Sequence, residues 1–129
     1  MKVVVADSSY VVEGLLKDGS LFEGFVICCP DYSLYEILNV VWKHQVLLKR
    51  IKDSKIIIDT LFDLISAQSI QFLTLREETI RKAYNLAAKT KMPICDVVFV
   101  ALARELGIEL KTFDKRQTAI FDKYSNRAI

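Results

Sequence analysis

Short apolar runs alternate with segments of helical periodicity along most of the chain. The first run, Val3–Ala6, is β-branched and has no polar break, which is typical of a strand buried on both faces. Similar runs at Phe25–Cys29, Ile70–Leu75 and Ile108–Phe113 predict three more strands. The tail, Tyr124–Ile129, is a candidate for a short edge strand. The pattern therefore predicts four to five strands.

Apolar residues at helical spacing fill the segments between these strands. The first helix follows Asp7, and its apolar face carries Val11, Val12, Leu15 and Leu16. The remaining predicted helices run from Pro30 to about Gln45 and over Ser54–Ala67, Thr79–Lys91, Asp96–Leu106 and Lys115–Lys123. The fifth of these six is apolar on nearly all sides, so we expect it to be the most buried.

Strands that alternate with helices favour a three-layer α/β/α sandwich, with a central parallel sheet and helices on both faces. Two consecutive helices between Pro30 and Ala67 interrupt the alternation, and we predict that they project as a helical hairpin. The chain of 129 residues has the commonest size of one domain, so we expect residues 1–129 to form a single domain.

Composition excludes several classes of protein. With 52% hydrophobic residues the chain is globular, and its net charge of +2 does not by itself indicate a nucleic-acid-binding protein. The longest apolar run, Val97–Ala103, is far shorter than the ~20 residues that a membrane-spanning helix needs. Asp7 interrupts the apolar run that a signal peptide requires. We therefore expect a cytoplasmic protein that does not contact the membrane.

The cysteines and the single histidine limit the chemistry. Cys28, Cys29 and Cys95 lack metal-site spacing such as C-x-x-C, and we interpret the adjacent pair as small buried core residues. With His44 as the only histidine, a histidine-based zinc site and a Ser-His-Asp triad are both disfavoured. Candidate chemistry therefore has to come from carboxylates.

Four carboxylates stand at comparable positions of the predicted fold. Asp7 ends the first strand and Asp114 ends the last one. Asp96 opens the buried helix, and Glu36 lies in the first turns of the second helix. The carboxyl ends of parallel strands form the edge at which α/β folds build their sites. If the first and last strands are neighbours, we expect the four acids to converge on one pocket.

Each acid also has a purely structural interpretation. Asp7, Asp96 and Asp114 are good N-cap residues, and a cap stabilises its helix by about 1 kcal/mol. Ser33 and Glu36 have the spacing of an S-x-x-E capping box. Against these interpretations, Glu36 and Asp96 have apolar sequence neighbours, and a carboxylate in such surroundings is costly unless its charge is compensated.

A divalent cation is the simplest compensator for carboxylates that share a cleft. Oxygen ligands without Cys or His favour the hard ions Mg²⁺ or Mn²⁺. Four acids suffice for one ion held partly through water or for two ions held directly. One use of such a cluster is phosphodiester hydrolysis, in which the metal activates water and stabilises the attacking and leaving oxygens.

The motifs resemble those of a PIN-domain ribonuclease, most closely the compact VapC type of prokaryotic toxin–antitoxin modules. The matching segments are Val5–Ser9, Glu36 in a helix after a proline, Asp96–Ala103 and Thr112–Arg116. Their order and spacing match over essentially the whole chain. The resemblance implies a parallel sheet between helices, bound Mg²⁺ or Mn²⁺, and cleavage of RNA.

The resemblance also implies roles for single residues. The metal-binding, catalytic acids are Asp7, Glu36, Asp96 and Asp114, with Glu36 bound directly or through water. Ser8, beside the first acid, and Thr112, two residues before the last, support them by hydrogen bonds. The chain departs from the family at Cys95, where a small or aromatic residue is frequent, and in its short or missing C-terminal strand.

Basic residues beside the last acid are candidates for contact with RNA. Lys115 and Arg116 directly follow Asp114, and we expect them to meet phosphates at the rim of the pocket, with plain solvent exposure as the alternative. Three further lysines extend this surface in the same hypothesis: Lys89, Lys91 and Lys111. The resemblance adds a small antitoxin that binds near the helical hairpin, and a homodimer.

Other classes of α/β protein fit less well. A receiver domain needs a pair of acids after the first strand, where this chain has Asp7 followed by Ser8 and Ser9. A phosphatase of the haloacid dehalogenase type needs an aspartate where Ser9 stands. The alternative that stays open is a non-catalytic PIN-like module that binds RNA or protein, although the presence of all four acids favours the enzyme.

Overall fold

The computed structural model describes residues 1–124, in which a parallel sheet lies between helices. Within this range the strands are β1 (Lys2–Ala6), β2 (Phe25–Pro30), β3 (Ile70–Leu73) and β4 (Glu109–Lys111), in the order β3-β2-β1-β4. The α-helices are α1 (Ser8–Leu16), α2 (Ser33–Trp42), α3 (Lys55–Ser66), α4 (Glu77–Thr90), α5 (Ile94–Leu106) and α6 (Lys115–Tyr124). The predicted tail strand lies outside the described residues, apart from Tyr124, which ends α6.

Strand β1 occupies the middle of the sheet because both of its faces are apolar. Its residues Val4, Val5 and Ala6 are fully buried. The strand pairs in parallel on both sides, with Val5 opposite Cys28 of β2 and Leu110 of β4. The first and last strands are therefore neighbours, which was the condition for the acids to converge.

Alternate residues of β1 point into different helical layers. Val4 and Ala6 pack in a core with residues of α1, α2 and α3. Val5 packs on the opposite face with residues of α4, α5 and α6. Cys29 and Cys28 are divided between the same two cores, as expected for small buried residues. The predicted three-layer sandwich is confirmed.

Helix α5 is buried along most of its length, as predicted. Seven consecutive residues, Val97–Ala103, are buried between the sheet and the neighbouring helices. The helix ends at Gly107, whose φ of 68° lies in the left-handed region that glycine adopts without strain. Even so, no helix among residues 1–124 has both the length and the apolar character that spanning a membrane requires.

Some element boundaries differ from the prediction. Strand β4 covers three residues instead of Ile108–Phe113, because β1 ends at Ala6, opposite Lys111, and Thr112 beyond it bonds to Asp7 through its side chain. Helix α5 begins two residues before Asp96, since Pro93 stands at the N-cap and the helix follows directly.

Helices α2 and α3 follow one another without a strand between them, as predicted for the hairpin. One face of each is anchored in the core around α1, through the buried residues Ile37 and Leu61. Other apolar residues of the pair are substantially exposed: Tyr35, Trp42, Ile56 and Phe62. The hairpin is therefore fixed to the sandwich by one side and leaves apolar surface outside.

Candidate active site

The four predicted acids line one cleft at the carboxyl edge of the sheet. Its volume is about 190 Å³, and its walls are formed by Asp7, Ser8, Ser9, Glu36, Asp96, Phe99, Asp114 and Gln117. The pairing of β1 with β4 brings Asp7 and Asp114 to the same edge. Helices α2 and α5 bring Glu36 and Asp96 from opposite layers of the sandwich. The predicted convergence is therefore found.

The carboxylate of Asp7 is nearly enclosed, with 5% of the residue exposed. Its Oδ1 accepts the Ser9 hydroxyl at 2.9 Å and the Tyr10 backbone N–H at 2.9 Å, and its Oδ2 accepts the Thr112 hydroxyl at 2.7 Å. The bond from Tyr10 confirms that Asp7 caps α1. Among residues 1–124 no Lys or Arg pairs with this carboxylate, which has about four acceptor sites. It therefore retains capacity for one more partner.

Glu36 is held by a serine of another helix. The Ser8 hydroxyl donates to its Oε1 at 2.8 Å, which joins α1 to α2 at the cleft. The alternative capping box is wrong, because Ser33 lies inside α2 and its buried hydroxyl has no partner among the described residues. Glu36 therefore points to the cleft and not back to its own helix.

Asp114 is fixed by backbone and side-chain hydrogen bonds. Its N–H donates to the Thr112 hydroxyl at 2.9 Å, and its Oδ1 accepts the backbone N–H of Arg116 at 2.8 Å, as a cap of α6 does. Burial raises the pKa of the Asp114 carboxyl, but the hydrogen bonds from Arg116 outweigh this and hold it below its ordinary value. Asp114 is consequently an anion at neutral pH.

Asp96 lies in the first turn of α5 rather than at its cap, so its interpretation as an N-cap is wrong. The guanidinium of Arg116 lies 4.0 Å from Asp96 Oδ2 and 3.4 Å from Asp114 Oδ2. Arg116 thus stands between two acids at the rim of the cleft, and Lys115 is exposed beside it.

The three other lysines of the hypothesis have different surroundings. Lys111 forms an ion pair with Glu109 at 3.0 Å, and the Lys89 ammonium lies 5.7 Å from the centroid of the Tyr124 ring. Lys91 is exposed at the end of α4. None of the three lines the cleft.

Gln117 is a cleft residue that the sequence analysis missed. It is only 2% exposed, and its Oε1 has no hydrogen-bond partner among the described residues. An unpartnered amide oxygen in a buried place is costly, so its presence indicates a ligand or a water. Its spacing could have indicated this position, because Gln117 lies on the same face of α6 as Ile120, Phe121 and Tyr124, which point inward.

The donor set fits a hard divalent cation. Carboxylate oxygens and an amide oxygen are the ligands that Mg²⁺ and Mn²⁺ prefer. The side chains are not gathered around one point, since among residues 1–124 no three His, Cys, Asp or Glu stand close enough to hold an ion as they are. The enclosed Asp7 carboxylate, without a cationic partner, is the observation that favours a cation, whereas the unpartnered Gln117 oxygen favours a hydrogen-bond donor, such as a water, in the same cleft.

Comparison with known proteins gives two findings. The family model described as PIN domain matches residues 6–124, a range that contains all four acids of the cleft. A curated relative, Ribonuclease VapC3 of Pyrobaculum aerophilum, is 29% identical to this chain over 87 residues. That alignment covers 67% of this chain and 64% of the relative, so the chain covers less than two thirds of the relative's length.

Proposed function

This chain belongs to the PIN-domain family, and on that premise we propose that it is a metal-dependent endoribonuclease, the toxin of a toxin–antitoxin pair. The observation that carries the proposal is the convergence of four acids on one cleft around the enclosed Asp7 carboxylate. Divalent metal dependence is general among PIN-domain ribonucleases, and the relative from Pyrobaculum aerophilum is named a ribonuclease.

In this proposal the acids hold the metal ion, and the metal ion acts as the Lewis acid. Asp7, Asp96 and Asp114 bind one or two ions of Mg²⁺ or Mn²⁺, with Glu36 bound directly or through water. A bound ion lowers the pKa of water and stabilises the charge that develops on the phosphate oxygens. The enclosure of Asp7 strengthens this electrostatic effect, because charges interact more strongly where water is excluded.

The other side chains of the cleft position the reacting groups. Ser8 holds Glu36, and Thr112 holds Asp7 together with the backbone of Asp114. The Gln117 oxygen accepts a hydrogen bond from a water or an RNA hydroxyl in the cleft.

Two cations at the rim are proposed to bind the substrate. Arg116 and Lys115 contact RNA phosphates beside the scissile bond. A guanidinium suits a phosphate because its fork of N–H donors matches two oxygens.

The antitoxin is proposed to dock on the hairpin of α2 and α3. Tyr35, Trp42, Ile56 and Phe62 are exposed there, and apolar surface of this kind marks interaction sites on soluble domains. A homodimer and a cytoplasmic location complete the proposal.

The test is cleavage of labelled RNA by the purified protein with Mn²⁺ or with EDTA. We expect cleavage only with Mn²⁺, and its loss in Asp7→Asn and Asp96→Asn. Asp63→Asn is the matched control, because Asp63 is exposed on α3 and its carboxylate forms no hydrogen bond or ion pair among the described residues. Mn²⁺ at about 100 times its Kd is expected to stabilise the wild-type fold by about 2.7 kcal/mol, and Asp7→Asn much less. RNA binding without metal-dependent cleavage would identify a non-catalytic binding module.

A further inference from the structure

A second cavity opens at the same edge of the sheet as the acidic cleft. Its volume is about 290 Å³, and it is lined by Asp31, Tyr32, Thr74, Leu75, Ile80, Ile94, Cys95 and Val98. Asp31 directly follows β2 and Thr74 directly follows β3. The volume is slightly below the ~300–1,000 Å³ of cavities that hold drug-sized ligands, which suits a single ring system. We call this cavity the side pocket.

One wall separates the side pocket from the acidic cleft. The Tyr32 hydroxyl donates to the Cys95 carbonyl at 2.8 Å, and its ring meets the Phe99 ring edge-on with centroids 6.1 Å apart. In the same turns of α5, Cys95 and Val98 line the side pocket, whereas Asp96 and Phe99 line the cleft. A nucleotide whose phosphate lies in the cleft therefore has the side pocket next to it.

The lining of the side pocket is mostly apolar, and the exposed residues Asp31 and Thr74 add two polar side chains that the fold does not use. Leu75 and Val98 form its inner walls, and Ile80 and Ile94 remain 46% and 38% exposed. Among residues 1–124, neither the Asp31 carboxylate nor the Thr74 hydroxyl forms a hydrogen bond or an ion pair. An apolar slot with a few free polar groups is the composition of a site for a flat organic ligand.

We propose that the side pocket binds the base of a nucleotide adjacent to the cleaved bond, and that Asp31 selects guanine there. This inference rests on the proposed ribonuclease function. Among the four RNA bases, guanine carries two neighbouring N–H donors on its Watson–Crick edge, and a carboxylate accepts both. Adenine and cytosine each offer one amino group beside a ring acceptor, and uracil offers one N–H between two carbonyls. Unstacked bases of single-stranded RNA are read by such edge contacts.

The first arm of the test measures binding in EDTA, where no cleavage occurs. Fluorescent uridine-rich oligoribonucleotides that differ at one central base are titrated with the wild-type protein. We expect the guanine oligonucleotide to bind about tenfold more tightly than the others. Asp31→Asn is expected to remove this preference and to favour adenine and cytosine, because an amide both donates and accepts, as the amino group beside a ring acceptor in each of these bases requires. Asp63→Asn, the same chemical change on α3, leaves the order of affinities unchanged.

Equal binding of the oligonucleotides by the wild-type protein, or a guanine preference that survives in Asp31→Asn, would overturn the inference. A second arm adds Mn²⁺ to the same oligonucleotides. Cleavage without base preference would refute the base-binding role of the side pocket and leave the proposed ribonuclease function intact. Guanine-selective binding without cleavage would refute the ribonuclease function and leave the base-binding role. If Ile80→Arg dissociates a dimer and leaves base preference unchanged, the side pocket is a contact between two copies and the inference fails.

Discussion

The hydroxyl of Thr112 bonds to both Asp7 and Asp114. It donates to Asp7 Oδ2 at 2.7 Å and accepts the backbone N–H of Asp114 at 2.9 Å. Asp7 ends the central strand, and Asp114 begins the last helix after the neighbouring strand. One hydroxyl group therefore sets the relative position of two acids of the proposed metal site.

Replacing this hydroxyl is expected to lower activity more than it lowers stability. Thr112→Val keeps the shape of the side chain but leaves Asp7 with two donors and the Asp114 N–H without its acceptor. We expect the free energy of unfolding to fall by about 1–3 kcal/mol. Cleavage is expected to fall at least about tenfold at a fixed Mn²⁺ concentration, and half-maximal activity to require more Mn²⁺. Urea unfolding and Mn²⁺ titration of the cleavage rate measure the two effects.

Thr112→Ser is the matched control for this prediction, because serine restores the hydroxyl and loses only a methyl group. It should recover most of the activity and the ordinary Mn²⁺ requirement. If the valine and serine variants have the same Mn²⁺ requirement, Thr112 does not position the acids.

Replacing Gln117 is expected to lower activity without lowering stability. Gln117→Met removes a buried amide oxygen without a partner and keeps an unbranched side chain of similar length. Because burying an unpaired polar group is unfavourable, the variant is expected to equal or exceed the wild type in stability without metal. Its cleavage rate is expected to fall about tenfold or more, as for loss of one hydrogen bond to a reacting group. A variant that is less stable and fully active would contradict this role.

The convergence of the acids could be predicted because it depends on topology. Asp7 and Asp114 each follow a strand, and parallel strands end at one edge of the sheet. The two acids therefore lie close together once β1 pairs with β4. The run Val3–Ala6 predicted a buried strand, and Val4, Val5 and Ala6 are buried in the middle of the sheet, whereas Val3 is 42% exposed. These features arise from chain order and hydrophobic pattern, which the sequence displays directly.

The hydrogen-bond partners within the cleft could not be predicted in the same way. Ser33 has the spacing of a capping residue, but α2 begins one residue earlier than a capping box needs, and Glu36 bonds to Ser8 instead. Gln117 resembles an ordinary polar residue of a surface helix until α6 is docked on the sandwich. Both outcomes depend on how helices from different layers meet, which local spacing does not encode.

The packing of Phe22 against Gly14 predicts that alanine at this position of α1 destabilises the fold. A Cβ atom at Gly14 would lie 2.3 Å from Cζ of the Phe22 ring. Alanine favours a helix over glycine by about 1 kcal/mol, but the ring has to move, and overpacking costs about 1–3 kcal/mol. We expect Gly14→Ala to lower the melting temperature, as measured by circular dichroism.

Gly19→Ala is the control for this steric effect, because a Cβ at Gly19 meets no atom within 4 Å. Its stability should stay within about 0.5 kcal/mol of the wild type. The double variant Gly14→Ala/Phe22→Leu should recover part of the loss. A melting temperature of Gly14→Ala equal to that of Gly19→Ala would show that the Phe22 ring moves aside without a measurable loss of stability.

The link between α4 and α5 through Glu105 predicts how stability depends on pH. The buried Thr79 hydroxyl donates to Glu105 Oε2 at 2.5 Å, and Arg76 forms an ion pair with the same carboxylate. These hydrogen bonds hold the pKa of Glu105 below its ordinary value of 4.5. A carboxyl whose pKa is lowered by folding stabilises the fold fully above its unfolded pKa, and this stabilisation is lost as the pH falls through the folded pKa.

Glu105→Gln should therefore flatten the dependence of unfolding free energy on pH below about 4.5. At neutral pH the variant is expected to be less stable, because the ion pair with Arg76 is absent and Thr79 has a neutral partner. As the pH falls, the unfolding free energy of the wild type should approach that of the variant. Urea midpoints measured from neutral to acidic pH follow this change. Asp114 and Glu109, whose pKa values are also lowered, leave a residual slope in both proteins. Glu13→Gln, at an exposed pair with Lys17 on α1, should keep the wild-type slope. If Glu105→Gln keeps it as well, the contact between α4 and α5 does not depend on the charge of Glu105.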